Sequence, residues 1–169
     1  MTPTVFRQQL AQVTARIAGR ALDEQLDAWL NAEIGPLTET YRNLKASCQA
    51  GVATGWLCDR EGGGIRYGRI FKPADDLSGF SVDVVDMQDI AGPHHGHPNG
   101  EIDLVMPIEG DALFDGRPAG WLVCPPGSAH RPHGVAGPRA GAVPSAAGPH
   151  RVHALIRAMR RPPAPIAIT

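Results

Sequence analysis

Hydrophobic residues recur at helical spacing in the first third of the chain, in three groups separated by glycines. The groups are Phe6, Leu10, Val13 and Ile17; Leu22, Leu26, Trp29 and Leu30; and Tyr41, Leu44 and Cys48. Spacings of three and four residues place the members of a group on one face of a helix. Gly19 and the Gly35-Pro36 pair stop the first two helices, and Thr38 suits the N-cap of the third. We therefore predict three amphipathic helices, which form an N-terminal helical segment over residues 1–54.

From residue 55 onward the pattern changes to short runs that are apolar or alternate between apolar and polar residues. Glycine or proline turns separate the runs, which lie at residues 55–58, 65–71, 80–84, 102–106 and 121–124. Runs of this length and composition are typical of β-strands. Because no helical pattern lies between them, they favour an antiparallel barrel or sandwich. Residues 55–132 are therefore predicted to form one β-barrel domain on which the helices pack.

The strand pattern is lost after Pro132. Residues 133–169 are rich in Ala, Gly, Pro, Arg and His and show no sustained period, so we predict an irregular tail. One hypothesis is that the tail is a frameshifted reading of the gene. Back-translation of the tail into GC-rich codons, read with a shift of one base, gives a strand-like run and later a stop codon. If the shift is real, the barrel formed by the present sequence lacks its last strand. The alternative is a genuine disordered tail, and resequencing the gene separates the two.

Composition narrows the class of partner. The 169 residues include 16 Lys and Arg against 17 Asp and Glu, a formal net charge of -1, so no overall field attracts nucleic acid or an anionic membrane. The cysteines, Cys48, Cys58 and Cys124, are odd in number and lack CxxC spacing, which favours a reduced, cytoplasmic setting. No apolar run approaches the roughly 18 residues of a membrane span. We expect a small-molecule ligand, and a homodimer is the assembly to test first.

One stretch carries metal-ligand spacing. His95 and His97 are two residues apart, which in a strand places them on one face, and the turn before Glu101 directs that residue back toward them. A later Pro-Pro-Gly turn leads to His130. His94 alternates to the opposite face, which favours a structural or supporting role.

This HxHxxxE pattern with a distant PxGxxH resembles the two motifs of the cupin superfamily, whose members are double-stranded β-helix barrels that commonly bind transition metals. The resemblance implies a cupin-type barrel preceded by helices. It also implies a divalent transition metal, Fe, Mn, Zn or Ni, with His95, His97, Glu101 and His130 as its ligands.

A closer resemblance, from about residue 5 to residue 132, is to the 4-hydroxylaminobenzoate lyase family of bacterial nitroaromatic catabolism. The runs that carry it are residues 55–58 (GWLC), 63–69 (GGIRYGR), 80–87 (FSVDVVDM), 92–95 (GPHH), 97–107 (HPNGEIDLVMP) and 125–132 (PPGSAHRP). The resemblance implies conversion of 4-hydroxylaminobenzoate to 3,4-dihydroxybenzoate (protocatechuate) with release of ammonia, during degradation of 4-nitrobenzoate. Two alternatives stay open, a metal-dependent cupin dioxygenase acting on a small aromatic and a non-catalytic ligand-binding cupin.

On this hypothesis the metal acts as a Lewis acid at the N–OH group, and Glu101 or His94 transfers protons. Arg69 or Arg131 binds the substrate carboxylate, because a guanidinium pairs with a carboxylate through two hydrogen bonds. Asp103, which alternates with apolar residues, is predicted to face solvent, as are Asp83 and Asp86.

Overall fold

Three α-helices begin the computed structural model, which describes residues 1–109, 112–131, 133–136 and 151–154. Each helix is capped by a side-chain oxygen, from Thr2, Asp23 and Thr38, that accepts a hydrogen bond from a backbone N–H in the first turn. The prediction of three helices and of the Thr38 cap is confirmed. Among the described residues no helix has the length and apolar character needed to cross a bilayer. The helices are α1 (Pro3–Ile17), α2 (Glu24–Ile34) and α3 (Glu39–Ala53).

The remainder of the described chain is mainly β-structure, as predicted, and every strand pair is antiparallel. A six-stranded sheet has the order β1-β2-β3-β11-β6-β8, a three-stranded sheet the order β4-β10-β7, and β5 pairs with β9. The strands are β1 (Arg60–Gly62), β2 (Ile65–Phe71), β3 (Val82–Gln88), β4 (Ile90–Ala91), β5 (His95–His97), β6 (Glu101–Glu109), β7 (Ala112–Phe114), β8 (Gly120–Cys124), β9 (Ser128–His130), β10 (His133–Ala136) and β11 (Arg151–Ala154).

Two expectations are corrected. Residues 55–58 do not form a strand: the N–H of Leu57 donates to the carbonyl of Gly51 in α3, and Cys58 has a left-handed φ of 56°. The segment 133–169 is not irregular throughout, because β10 lies between β4 and β7 and β11 lies between β3 and β6. Both strands follow His130, and each forms backbone hydrogen bonds on two sides. The rest of the predicted tail lies outside the described residues, and the frameshift stays a prediction for resequencing.

Strand β6, which lies between β11 and the edge strand β8, is buried on both faces. Ile102, Leu104 and Met106 belong to the large core that the helices cover, whereas Val105 belongs to a second core together with Phe114 of β7. Since side chains alternate along a strand, Glu101 and Asp103 share the face of Val105. One face of the large sheet therefore carries the helices, and the other faces the smaller sheets.

Helix α2 covers the edge strand β8 through side-chain hydrogen bonds. The Asn31 amide accepts from the Trp121 N–H at 2.8 Å and donates to the Trp121 carbonyl at 2.9 Å. The Asp27 carboxylate accepts from the N–H of Val123 at 3.0 Å, and the Trp121 indole donates to the carbonyl of Ile34 at 2.8 Å. These groups supply the hydrogen bonds that a further strand would otherwise supply to the edge.

Gly120 allows this close approach. Its φ is 138°, a value that side chains rarely adopt, and a Cβ atom there would lie 2.5 Å from the Asn31 Oδ1. A residue with a side chain at this position would displace the amide from the strand edge.

We predict that Asn31→Ala lowers the free energy of unfolding by about 2 kcal/mol, because two peptide groups of β8 lose their partners. Urea unfolding followed by circular dichroism measures the change. Asn43→Ala is the matched control, since it makes the same substitution at an exposed position of α3 and should change stability by less than about 0.5 kcal/mol. Equal effects of the two substitutions would contradict the role given to Asn31.

Candidate metal centre

The two histidine motifs form one small antiparallel sheet. In the pairing of β5 with β9, His95 lies opposite His130, Gly96 opposite Ala129 and His97 opposite Ser128. About thirty residues separate the motifs in the chain, so only the tertiary structure brings them into register. For His95 the structure describes only the backbone, so its role as a ligand stays a prediction.

The carbonyl oxygen of His97 ties the turns of both motifs together. It accepts a hydrogen bond from the N–H of Gly100 at 3.0 Å and another from the N–H of Gly127 at 2.8 Å. Gly100 has a φ of 79°, and a Cβ atom there would lie 2.4 Å from Leu22 and 3.0 Å from the Cys124 carbonyl. The turn before Glu101 therefore requires glycine, both for its conformation and for its packing.

Three of the four predicted ligands converge. The rings of His97 and His130 meet edge to face, with centroids 4.7 Å apart, and the His97 Nδ1 lies 3.5 Å from the Glu101 Oε1. Two overlapping groups have ligand atoms within 4.8 Å of one another: His97 with Cys124 and His130, and Glu101 with Asp103 and His130. Each group contains His130 and one other predicted ligand, His97 or Glu101. The assignment of the three residues as metal ligands stays a prediction.

Asp103 and Cys124 are members of the site that the sequence analysis missed. Asp103 is 0% exposed, so the expectation that it faces solvent is wrong, as it is for Asp86, which is 5% exposed. The Cys124 Sγ lies 4.0 Å from the Asp103 Oδ2, and Cys124 pairs with Glu101 across β6 and β8. Alternation from the apolar Val123 could have suggested Cys124, but the identity of its neighbouring strand could not be read from the sequence.

The electrostatic potential at this site is negative. Burial, followed by the charges of Asp103, Glu101, Asp115 and Asp27, raises the pKa of Cys124 to about 12. At neutral pH the thiol is therefore protonated, and a bound cation would have to displace that proton. Glu101 and His97 are each 2% exposed, and buried carboxylates are stable only when they are paired, hydrogen-bonded or bound to a metal.

The side chain of His130 has a further neighbour. Its Nδ1 contacts the carboxylate of Asp115, and the Phe114 ring lies edge on at a centroid distance of 6.1 Å. Both contacts come from the end of β7 and the turn that follows it. The sequence analysis recognised Asp115-Gly116 only as a turn.

The remaining predicted residues lie outside this cluster. Arg69 forms two hydrogen bonds to Asp83, at 2.8 and 3.1 Å, and alternation in β2 places it on the sheet face that carries the site. Three strand spacings, about 14 Å, separate β2 from β6. Arg131 directly follows the last predicted ligand and is exposed, as is His94. The roles of Arg69, Arg131 and His94 stay predictions.

The donor set suits a transition metal. Imidazole nitrogens combined with carboxylate oxygens, with a thiol close by, are the ligands of zinc, iron, manganese and nickel sites in proteins. The ligand atoms of each group lie within 4.8 Å of one another, close to the limit of about 4.6 Å for two atoms on opposite sides of one ion with bonds of about 2.3 Å.

Comparisons with known proteins agree on one family. The sequence model of the family described as PnbB, 4-hydroxylaminobenzoate lyase, matches residues 8–143. A 4-hydroxylaminobenzoate lyase from Pseudomonas putida is 30% identical over 135 residues, which are 70% of this chain and 77% of the relative. Another from Nocardioides sp. (strain LMS-CY) is 34% identical over 125 residues, which are 69% and 74% of the two chains.

Among solved structures, an HTH_3 family transcriptional regulator from Vibrio cholerae matches with a TM-score of 0.30 and 18% identity, covering 92% of this chain and 98% of that chain. An agreement this weak carries no argument about fold or function.

We predict that His130→Ala or His97→Ala weakens binding of a divalent transition metal by at least about a hundredfold, because each removes one of a few protein donors. Elemental analysis after dialysis measures the metal content, and circular dichroism checks that the helices are retained. His94→Ala is the control: its exposed imidazole lies outside the cluster, so metal content should not change. Full metal content in His130→Ala would exclude His130 as a ligand.

Proposed function

The chain belongs to the 4-hydroxylaminobenzoate lyase family, and from this membership we propose that it converts 4-hydroxylaminobenzoate to 3,4-dihydroxybenzoate and ammonia. The observation that carries the proposal is the family match over residues 8–143, which includes the whole histidine and carboxylate cluster. The reaction belongs to the degradation of 4-nitrobenzoate. It consumes one water molecule and releases one ammonia, so it needs no external oxidant or reductant.

We propose that a divalent transition metal binds here, held by His97, Glu101 and His130, with His95 as the fourth ligand. The buried donor set and the negative potential at Cys124 support this assignment. Such an ion would supply Lewis acidity, polarising the N–OH group of the substrate. The identity of the metal among Fe, Mn, Zn and Ni depends on which donors bind it, and the Cys124 thiol would favour zinc or iron over manganese.

The buried carboxyl groups are the candidates for proton transfer. Glu101 and His94 are the predicted catalytic residues, and Asp103 lies in the same cluster as Glu101 and on the same strand face. A carboxyl group in such surroundings can accept a proton from the attacking water and deliver one to the departing nitrogen. Because burial excludes bulk water from this side of the sheet, the groups would act on bound substrate alone.

We propose that the described strands belong to a cupin-type double-stranded β-helix barrel. The sheet order supports this, since β3 and β6 are joined through β11 and the two histidine motifs pair with each other across β5 and β9. Such a barrel places its ligands between two sheets, which agrees with the position of the cluster on the face that opposes the helices.

We further propose a cytoplasmic location and a small aromatic carboxylate as the ligand, with no nucleic-acid or membrane partner. The three cysteines, all within the described residues, are not joined by disulfides, which suits a reducing compartment. A homodimer stays our prediction for the assembly.

The activity is tested by incubating the purified chain with 4-hydroxylaminobenzoate under nitrogen. We expect ammonia and 3,4-dihydroxybenzoate in a one-to-one ratio, without oxygen, because the balanced reaction needs water alone. His130→Ala, purified in parallel, is the control for contaminating activity. Product that forms only in air, with matching oxygen uptake, would favour the dioxygenase alternative instead.

A second prediction concerns the substrate carboxylate. Arg131→Ala should raise KM about tenfold for the carboxylate substrate and leave KM for the corresponding amide unchanged, because a charge-assisted pair contributes about 1.5–3 kcal/mol. Arg42→Ala, an exposed arginine of α3, is the control. Equal changes in KM for the two substrates would exclude Arg131, and Arg69→Ala is the next variant to compare.

A further inference from the structure

The residue Asp115 occupies a tight turn whose backbone does not require a carboxylate. Phe114 and Arg117 exchange two backbone hydrogen bonds, of 2.9 and 2.8 Å, around the two-residue loop Asp115-Gly116. Both loop residues have positive φ, 49° and 74°, as in a type I′ hairpin turn. Asparagine and glycine are equally suited to the first position of such a turn. The turn therefore accepts an aspartate at residue 115 but does not require one.

The carboxylate of Asp115 contacts the His130 ring. The carboxylate lies within hydrogen-bonding distance of the Nδ1 of His130, whereas the other ring nitrogen, Nε2, is buried. Only about one sixth of each side chain is exposed, 17% for Asp115 and 18% for His130. The preceding residue, Phe114, contacts the same ring edge on. The hairpin thus holds the imidazole by two consecutive side chains.

We infer that Asp115 is a positioning residue for the metal centre. Its carboxylate accepts a hydrogen bond from the Nδ1–H of His130, and this selects the tautomer that presents an Nε2 lone pair to the ion. The ring is held in that orientation before metal binds, so less rotational freedom is lost on binding. This role rests on the proposed metal centre and adds to it a residue with no direct contact to metal or substrate.

Two substitutions separate the carboxylate from the turn. Asp115→Asn removes the charge and keeps a residue that tolerates left-handed φ, and Asp115→Gly removes the side chain where glycine is favoured. Asp89 provides matched controls, because it is an exposed aspartate with a φ of 46° in the connection between β3 and β4. Asp89→Asn and Asp89→Gly make the same changes at a similar backbone conformation.

The first measurement is the affinity for Co²⁺ and Zn²⁺, by titration against a competing chelator. We expect both Asp115 variants to bind about 10–100 times more weakly, the range typical for loss of a partner of a ligating histidine. Both Asp89 variants should bind as the unsubstituted chain does. The metal-free proteins should all unfold at similar temperatures, because the turn accepts either replacement.

The second measurement needs no metal and no activity. Nitrogen-15 NMR of the metal-free chain, at a pH where the ring is neutral, should show His130 protonated at Nδ1 and not at Nε2. In Asp115→Gly the ring should become a mixture of tautomers, whereas Asp89→Gly should leave it unchanged.

The outcomes distinguish failure of the proposed metal centre from failure of the positioning role of Asp115. If the unsubstituted chain binds neither ion, the proposed metal centre and this role both fail. If it binds metal but both Asp115 variants bind equally tightly, or Asp115→Gly keeps the tautomer of His130, the positioning role alone is overturned.

Discussion

Burial of β6 on both faces is the constraint on which the rest of the structure depends. Leu104 on one face and Asp103 on the other are both inaccessible to water. An apolar face needs a complementary layer, which the three helices provide. On the opposite face, the carboxyl groups of Glu101 and Asp103 lie beside the histidine motifs and Cys124 of β8. Strand β6 thereby connects the helical layer to the candidate metal centre.

The position of the cluster is transmitted through backbone hydrogen bonds. Side chains of α2 hold the edge of β8, and β8 leads directly into the Pro-Pro-Gly turn. That turn donates from Gly127 to the His97 carbonyl, which also accepts from Gly100 just before Glu101. His97, Glu101 and the turn leading to His130 are therefore held around one oxygen atom. These hydrogen bonds fix the relative positions of the two motifs, as catalysis by positioning requires.

The acidic groups around Cys124 determine which charges the site can accept. Burial is the main cause that raises the pKa of Cys124 to about 12, and several nearby acidic groups add to the increase. A negative, partly buried cluster favours a cation and disfavours a further anion. We therefore expect the carboxylate of the proposed substrate to lie outside the cluster, near the exposed Arg131. The reactive N–OH end of the substrate would then point inward. The para arrangement of the two groups on the ring separates them in this way.

The sequence by itself determined the features that depend on neighbours along the chain. Helical spacing predicted α1 to α3, and short apolar or alternating runs predicted β2, β6 and β8. The resemblance to the 4-hydroxylaminobenzoate lyase family, carried by six runs between residues 55 and 132, is confirmed. The proximity of His97 and Glu101 could be predicted from the sequence because the two residues lie four positions apart, on either side of one turn.

What only the tertiary structure decided was which strand lies beside which, and which face is buried. Asp103 reads as a solvent-facing residue until a second layer covers its side of β6, and Cys124 joins the site only through the register of β8 with β6. Asp115 reads as a turn residue until β9 places His130 against it. The four residues of β11 carry too little pattern to reveal a place between β3 and β6. Strand pairing joins residues far apart in the chain, and local periodicity contains no information about that choice of partner.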